Sequence, residues 1–207
     1  MPEAYSETRH AFTFIYENNL WEYGSGIGSL AETTLEYRYF LEKFIAKNNI
    51  KTIVDFGCGD WNFSRYIYWW GAEYIGYDAV ETIVENNSKL FSTDTIKFYI
   101  PPTNFGEIKP AELLIVKDVL QHWPSDIVKQ FLASIKGKFQ YILATNSQYP
   151  NDNVNKDIRI GQFRPVNLLI SPFNIQAELV LTYDIRCTDR NGKKHSDLKH
   201  VLLLKNW

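Results

Sequence analysis

Two aspartates and a pair of glycines are the residues whose types and spacing suggest chemistry most directly. The run Val54-Asp55-Phe56-Gly57-Cys58-Gly59-Asp60 ends an apolar stretch in an acid, places two glycines one residue apart, and follows them with a second acid. Gly57 lets the chain turn sharply, and Gly59 lets a ligand approach the backbone closely. Asp78 follows about 20 residues later, where a carboxylate is expected to meet ribose hydroxyls. The third glycine of a dinucleotide fingerprint is replaced by Asn62. A nucleoside without a diphosphate therefore suits the pattern better than NAD. Asp60 also fits a plain helix cap, and Cys58 a small packing residue.

A second constellation is Lys117-Asp118-Val119-Leu120-Gln121-His122-Trp123. His122 could take a proton from a hydroxyl or amine, because imidazole titrates near neutrality. Asp118 could orient the same molecule or touch only the nucleoside. One carboxylate and one histidine are too few for a metal site. Arginine forks suit carboxylate or phosphate, so Arg38, Arg159 and Arg164 are candidate anion contacts, against the plainer reading of solvated or ion-paired side chains. Asn146 follows a strand and would face the reaction centre, although loop capping would also explain it. The N-terminal segment carries Phe12, Phe14, Tyr16, Trp21 and Tyr23. It either walls a substrate pocket, with Trp21 as a contact, or covers the edge of the sheet.

These residues need a scaffold, and 207 residues with 45 % apolar content suffice for one domain with a full core. A formal charge of -2 offers no basic surface for nucleic acid. The two cysteines lie far apart, which fits a reducing compartment and predicts a cytoplasmic protein. The polar stretch Met1 to His10 has no signal-peptide core, and no apolar run reaches membrane-spanning length.

Residues 1 to 28 show no clear period, and Gly24 to Ser29 reads as a glycine-rich linker or lid. Ser29 and Glu32 fit a capping box for a helix reaching Lys47. Strands are expected over 51–56, 73–77, 95–100, 112–117 and 139–144, with helices over 61–70, 80–87 and 124–136 between them. The run Leu113 to Val116 is apolar on both faces, which predicts a central parallel strand. Residues 145 to 163 read as a long polar loop, functional or mobile, and 164 to 170 as a short helix. Strands over 178–187 and 198–204 close the chain as an antiparallel hairpin around a turn at Asp189 to Gly192, and Lys193 to His195 reads as solvated. Strands alternating with helices give an α/β fold with a mostly parallel sheet. Ligands then bind outside the C-terminal strand ends, where Asp78, Asp118 to His122 and the Gly57 turn all fall.

VDFGCGD, then YIGYDAV, then LLIVKDVLQHW resembles the class I S-adenosylmethionine-dependent methyltransferases over roughly residues 33 to 145, and the terminal hairpin fits that family's ending. The resemblance implies a three-layer Rossmann-like fold with a seven-stranded sheet, in a single domain whose residues 1–32 act as a lid or substrate segment. It implies S-adenosyl-L-methionine as cofactor, with Asp55, Gly57 and Gly59, flanked by Asp60, around the methionine part. Asp78 would hold the ribose, Lys117 and Asp118 would border the methyl group, and Arg38 would reach the cofactor carboxylate. His122 and Asp118 would assist proton removal, while Trp21, Asn146 and Arg164 would meet a small-molecule acceptor at oxygen or nitrogen. No metal, nucleic acid or membrane partner is expected, and the N-terminal aromatics leave room for a homodimer. The chain departs from the family's habit at Asp60, where a third glycine is common, and at Pro101-Pro102-Thr103, where an acid often follows the third strand. A nucleoside-binding module of the same fold without transfer activity is the competing reading, and an NAD-linked oxidoreductase is a third that Asn62 and the hairpin disfavour.

Overall fold

The structure is a computed structural model that describes residues 2–148, 153–188, 192 and 194–207. Seven strands form one sheet: β1 (Thr52–Phe56), β2 (Glu73–Tyr77), β3 (Ile96–Tyr99), β4 (Ala111–Lys117), β5 (Phe139–Ser147), β6 (Glu178–Thr188) and β7 (Lys194–Lys205). Their order is β3-β2-β1-β4-β5-β7-β6. The first five are parallel, and β7 runs antiparallel to both β5 and β6. β4 is central, and Leu113 to Lys117 are all buried, as a strand covered on both faces must be. Among the described residues, no helix is long and apolar enough to cross a membrane.

Strand alternation sends neighbouring residues to opposite layers. Ile53, Leu113, Ile115, Leu143, Val201 and Leu203 pack with Tyr37, Leu41 and Ile45 of helix α2 (Leu35–Lys47). Val54, Phe56, Leu114, Val116 and Ile142 pack with Ile127, Phe131 and Ile135 of helix α4 (Ser125–Ile135). Helix α3 (Glu81–Phe91) flanks the β2–β3 edge. The topology switches at β1, which pairs with β2 on one side and β4 on the other, so a ligand crevice opens above its C-terminal end.

Several local expectations are corrected. Residues 2–17 form helix α1 (Pro2–Glu17), which places Thr8 and Ile15 inward at near-helical spacing while Phe14 faces out. The capping box does not form: Ser29 Oγ donates to Ser25 O, and α2 begins only at Leu35. No helix follows β1. The crossover holds one 3-10 turn, Ser64–Tyr66, because Asp60 Oδ1 takes the amide of Asn62 and Trp61 adopts φ 55°. Trp61, Phe63, Ile67 and Trp69 fill that layer with side chains instead of helical backbone, and Tyr66 and Trp70 are left exposed. Residues 164–170 are irregular, with Val166 and Leu168 buried beside α4, so no helix forms there. β5 continues to Ser147, taking the first residues of the expected polar loop into the sheet. The expected turn at 189–192 and the side chains of Lys193 and His195 lie outside the described residues, apart from the backbone of Gly192 and His195.

Candidate active site

Asp55 is the second-last residue of β1, on the α2 face, and it is buried. Tyr74 on β2 donates to Asp55 Oδ2 at 2.7 Å, and Trp61 Nε1 donates to the Tyr74 hydroxyl at 3.0 Å. Burial pushes the Asp55 carboxyl up to about 7, against the opposing pull of Tyr74 and Lys117. The chain then turns through Gly57 (φ 79°) and Gly59 (φ 57°), both in the left-handed region where a side chain would strain the backbone. A Cβ on Gly57 would overlap the Val119 side chain, and one on Gly59 would overlap Ser25 Oγ. The turn is therefore clamped between the loop after β4 and the N-terminal segment.

Asp78, at the end of β2, is tied to this turn. Its Oδ2 accepts from Gly59 N and its Oδ1 from Val80 N, both at 3.0 Å. Burial pushes it up to about 6, while those two amides pull the other way. Asn87 of α3 donates to Gly59 O at 2.7 Å and fixes the turn from below.

A strap made of residues 24–29 lies over the turn. Ser25 N donates to Asp60 Oδ2 and Asp60 N to Ser25 Oγ, which also meets the Tyr16 hydroxyl at 2.6 Å. Asp60 therefore holds the strap and does not cap a helix. Lys117 Nζ donates to Gly28 O at 2.8 Å.

Asp118 adopts φ 59° and lies between two ammonium groups. Lys117 Nζ is 2.5 Å from its Oδ2 and Lys199 Nζ 2.7 Å from its Oδ1. Lys199, 2 % exposed, also donates to Asp197 and to Ser147 Oγ. Burial alone would raise the Asp118 carboxyl, yet the two lysines hold it well below the carboxylate range. Burial alone would lower Lys199, yet Asp118 and Asp197 raise it, whereas for Lys117 burial prevails and lowers it. Paired with a lysine at each oxygen, Asp118 is held as an anchored ion, which makes it a poor proton acceptor.

His122 ends the 3-10 turn Leu120–His122. Its Nδ1 lies 3.1 Å from Gln162 O, a carbonyl that can only accept, so Nδ1 carries the proton and Nε2 keeps a lone pair. Burial among aromatic rings pulls the imidazole down to about 4, so it is neutral at pH 7. Trp21 lies 5.1 Å away, ring centre to ring centre.

Asp55, Gly57, Gly59, Asp78, Lys117, Asp118, His122 and Trp21 all line one cavity of about 360 Å³. Of the expected contacts, Asp60, Arg38, Arg159, Arg164 and Asn146 are not among its lining residues; Asp60 is turned to Ser25 of the strap. Arg38 donates to Ala31 O and lies over the Tyr66 ring. Arg164, 2 % exposed, donates to Trp123 O and braces the loop beneath His122. Asn146 is buried on the other face of β5 from Ser147. Lys199, Asp197 and Tyr37 line the cavity without having been singled out in the sequence, and Tyr16 lines it as one of the N-terminal aromatics. Among the described residues, no three His, Cys, Asp or Glu gather as metal ligands.

No protein-family model and no curated protein matches the sequence. Solved structures do match the fold. A SAM-dependent methyltransferase from Anabaena variabilis has a TM-score of 0.65 at 13% identity, over 95% of this chain and 94% of that one. Burkholderia thailandensis 1,6-didemethyltoxoflavin-N1-methyltransferase, solved with 1,6-didemethyltoxoflavin and S-adenosylhomocysteine, has 0.63 at 14%, over 98% and 90%. TehB from Haemophilus influenzae has 0.59 at 14%, over 82% of this chain, which spans only 62% of that protein's chain. In strand order, terminal hairpin and shape, the chain has the fold of the class I S-adenosylmethionine-dependent methyltransferases.

Proposed function

We propose that this protein transfers a methyl group from S-adenosyl-L-methionine to an oxygen or nitrogen of a small-molecule acceptor. The observation that carries this reading is Asp78: a buried carboxylate, clamped by the amides of Gly59 and Val80, on the wall of a cavity at the β1 switch point. A carboxylate has about four acceptor sites, so these amides leave room for a ribose hydroxyl. The residues fit the cofactor in charge as well, since Asp78 titrates below neutrality and a cationic ligand would draw Asp55, held near 7, to its ionised form. A volume of about 360 Å³ lies in the range of small-molecule sites. The Burkholderia enzyme, crystallised with a small heterocycle and S-adenosylhomocysteine, supports a small acceptor.

When bound, S-adenosylmethionine supplies a methyl carbon on positively charged sulfur, open to in-line attack by an acceptor lone pair, with the C–S electrons left on sulfur. The chain's part is to hold, shield and deprotonate. Asp78 and the Gly57–Gly59 turn would hold the nucleoside, and Lys117, paired with Asp118 on the cavity wall, would border the methyl group. Helix α1 and the strap exclude water, so residues 1–32 act as a cover on a 33–207 core. His122 Nε2 takes the acceptor's proton and passes it to solvent. Holding the two reactants in line is the larger contribution.

S-adenosylhomocysteine should raise the unfolding temperature of the protein by several degrees at concentrations where NAD does not. Protection by NAD alone would overturn the reading in favour of an oxidoreductase. Protection by S-adenosylhomocysteine without labelled methyl transfer to any of a broad acceptor panel would mean a binding module instead.

A further inference from the structure

Four aromatic rings from three separate parts of the chain converge on one wall of the cavity. Phe12 and Trp21 come from the N-terminal segment, His122 from the turn after β4, and Phe163 from the irregular segment before β6. Trp21 and His122 are 5.1 Å apart with their planes at 39°, and Phe12 meets His122 edge-on at 6.2 Å. Phe163 closes on His122 from the other side at 5.9 Å, yet it stays 49 % exposed. Phe56 and Phe63 line the same cavity yet are buried, whereas Phe12, Trp21 and His122 are half-buried and Phe163 is exposed, so these four rings form its accessible wall. Apolar rings kept accessible in a concave site gain stability only when a ligand covers them.

The cavity has two ends. Tyr16 and Ser25 lie against the Gly59 turn, which marks the nucleoside end. His122 lies against Phe163 and the Gln162 carbonyl, which marks the far end. Trp21 touches both Tyr16, at 5.5 Å, and His122, and so divides them. The charges on the wall between these ends pair with one another. Asp118 has a lysine on each oxygen, and Lys199 is shared among Asp118, Asp197 and Ser147. A charged acceptor would find no unpaired counter-ion among them.

We propose that Phe12, Trp21, His122 and Phe163 form the acceptor subsite, and that the acceptor is a flat, uncharged aromatic or heteroaromatic molecule with an acidic O–H or ring N–H. This deepens the methyltransferase reading and rests on it. Flat rings suit such a slot because offset and edge-on ring contacts favour other rings over saturated ones of equal size. His122 suits an acidic proton: with its conjugate acid near 4, it is a weak base and pairs poorly with an aliphatic alcohol. The acceptor's proton goes to Nε2 and then to solvent, and the freed lone pair forms the new bond to the methyl carbon.

The test is calorimetry on the intact protein with saturating S-adenosylhomocysteine, using 2-naphthol and its fully saturated analogue decahydro-2-naphthol as probes. The aromatic probe should bind at least about tenfold more tightly. Trp21→Ala should abolish that preference, Trp21→Phe should keep most of it, and both should bind S-adenosylhomocysteine within about twofold of the parent. Phe163→Ala, at a half-exposed position, serves if Trp21→Ala does not fold. Equal affinity for the two probes, or no binding of either, would overturn the proposal. So would a Trp21→Ala protein that loses S-adenosylhomocysteine and keeps 2-naphthol, because the rings would then serve the nucleoside. Failure of the parent to bind S-adenosylhomocysteine would sink the methyltransferase reading by itself, and titration of 2-naphthol into the free protein would still test the slot.

Discussion

At the scale of single residues, the site is a set of buried charges with assigned partners. Asp55 holds its proton up to about 7 in the folded chain, far above the ordinary carboxylate value near 4. Between those values the folded state keeps a proton that the unfolded chain has released, so this group lowers stability as pH rises from about 4 to about 7. Asp55→Asn removes the titration and still accepts from Tyr74. Its stability relative to the parent should therefore climb across that window, by up to about 1.4 kcal/mol per pH unit. Urea unfolding of both proteins at pH 4.5, 6 and 7.5 reads this, and a difference independent of pH would contradict the burial argument. Lys199→Met leaves Asp118 and Asp197 without a shared cation, and should cost about 3–5 kcal/mol in the same assay. Asp55, Asp78 and His122 were legible as cavity residues because each lies at or just beyond the C-terminal end of a strand in a recognisable pattern. Lys199 was legible in principle, since it has the parity of the inward Val201 and Leu203 on β7. Its partners Asp118 and Ser147 come from other strands, and no local pattern records a meeting across the sheet. Arg164 misled for the same reason: its carbonyl partners at Leu120 and Trp123 are distant in sequence.

At the scale of elements, strands were read more reliably than helices. An apolar run between turn residues identifies a strand wherever the sheet covers both faces, and β4 shows this clearly. The crossover after β1 shows the opposite case. Phe63, Tyr66, Ile67 and Trp70 have helical spacing, yet large aromatics at 61, 63 and 69 bury more surface from an irregular path, and tertiary packing overrides the period. Helix α1 was missed because its apolar residues cover an open cavity and not a dry core, so aromatics fall on more than one face. The strap depends on Ser25, whose Oγ accepts from Asp60 N and meets the Tyr16 hydroxyl. Ser25→Ala should speed hydrogen exchange at the Asp60 amide by about tenfold or more while the sheet amides keep their protection. Unchanged exchange at Asp60 would show that the strap does not cover the glycine turn in solution.

At the scale of the whole molecule, the sheet order brings the ends of β1, β2 and β4 together beneath a cover drawn from the other end of the chain. The two halves of the site are joined through Lys117, which reaches Gly28 of the strap and Asp118 of the opposite wall. The most direct test of the central claim is calorimetric titration of the intact protein with S-adenosylhomocysteine beside the Asp78→Asn variant. The account predicts one site per chain with an affinity in the micromolar range or tighter, weakened at least about tenfold in the variant. An intact protein that gives no heat beyond dilution, or an Asp78→Asn protein that binds as tightly as its parent, would contradict it.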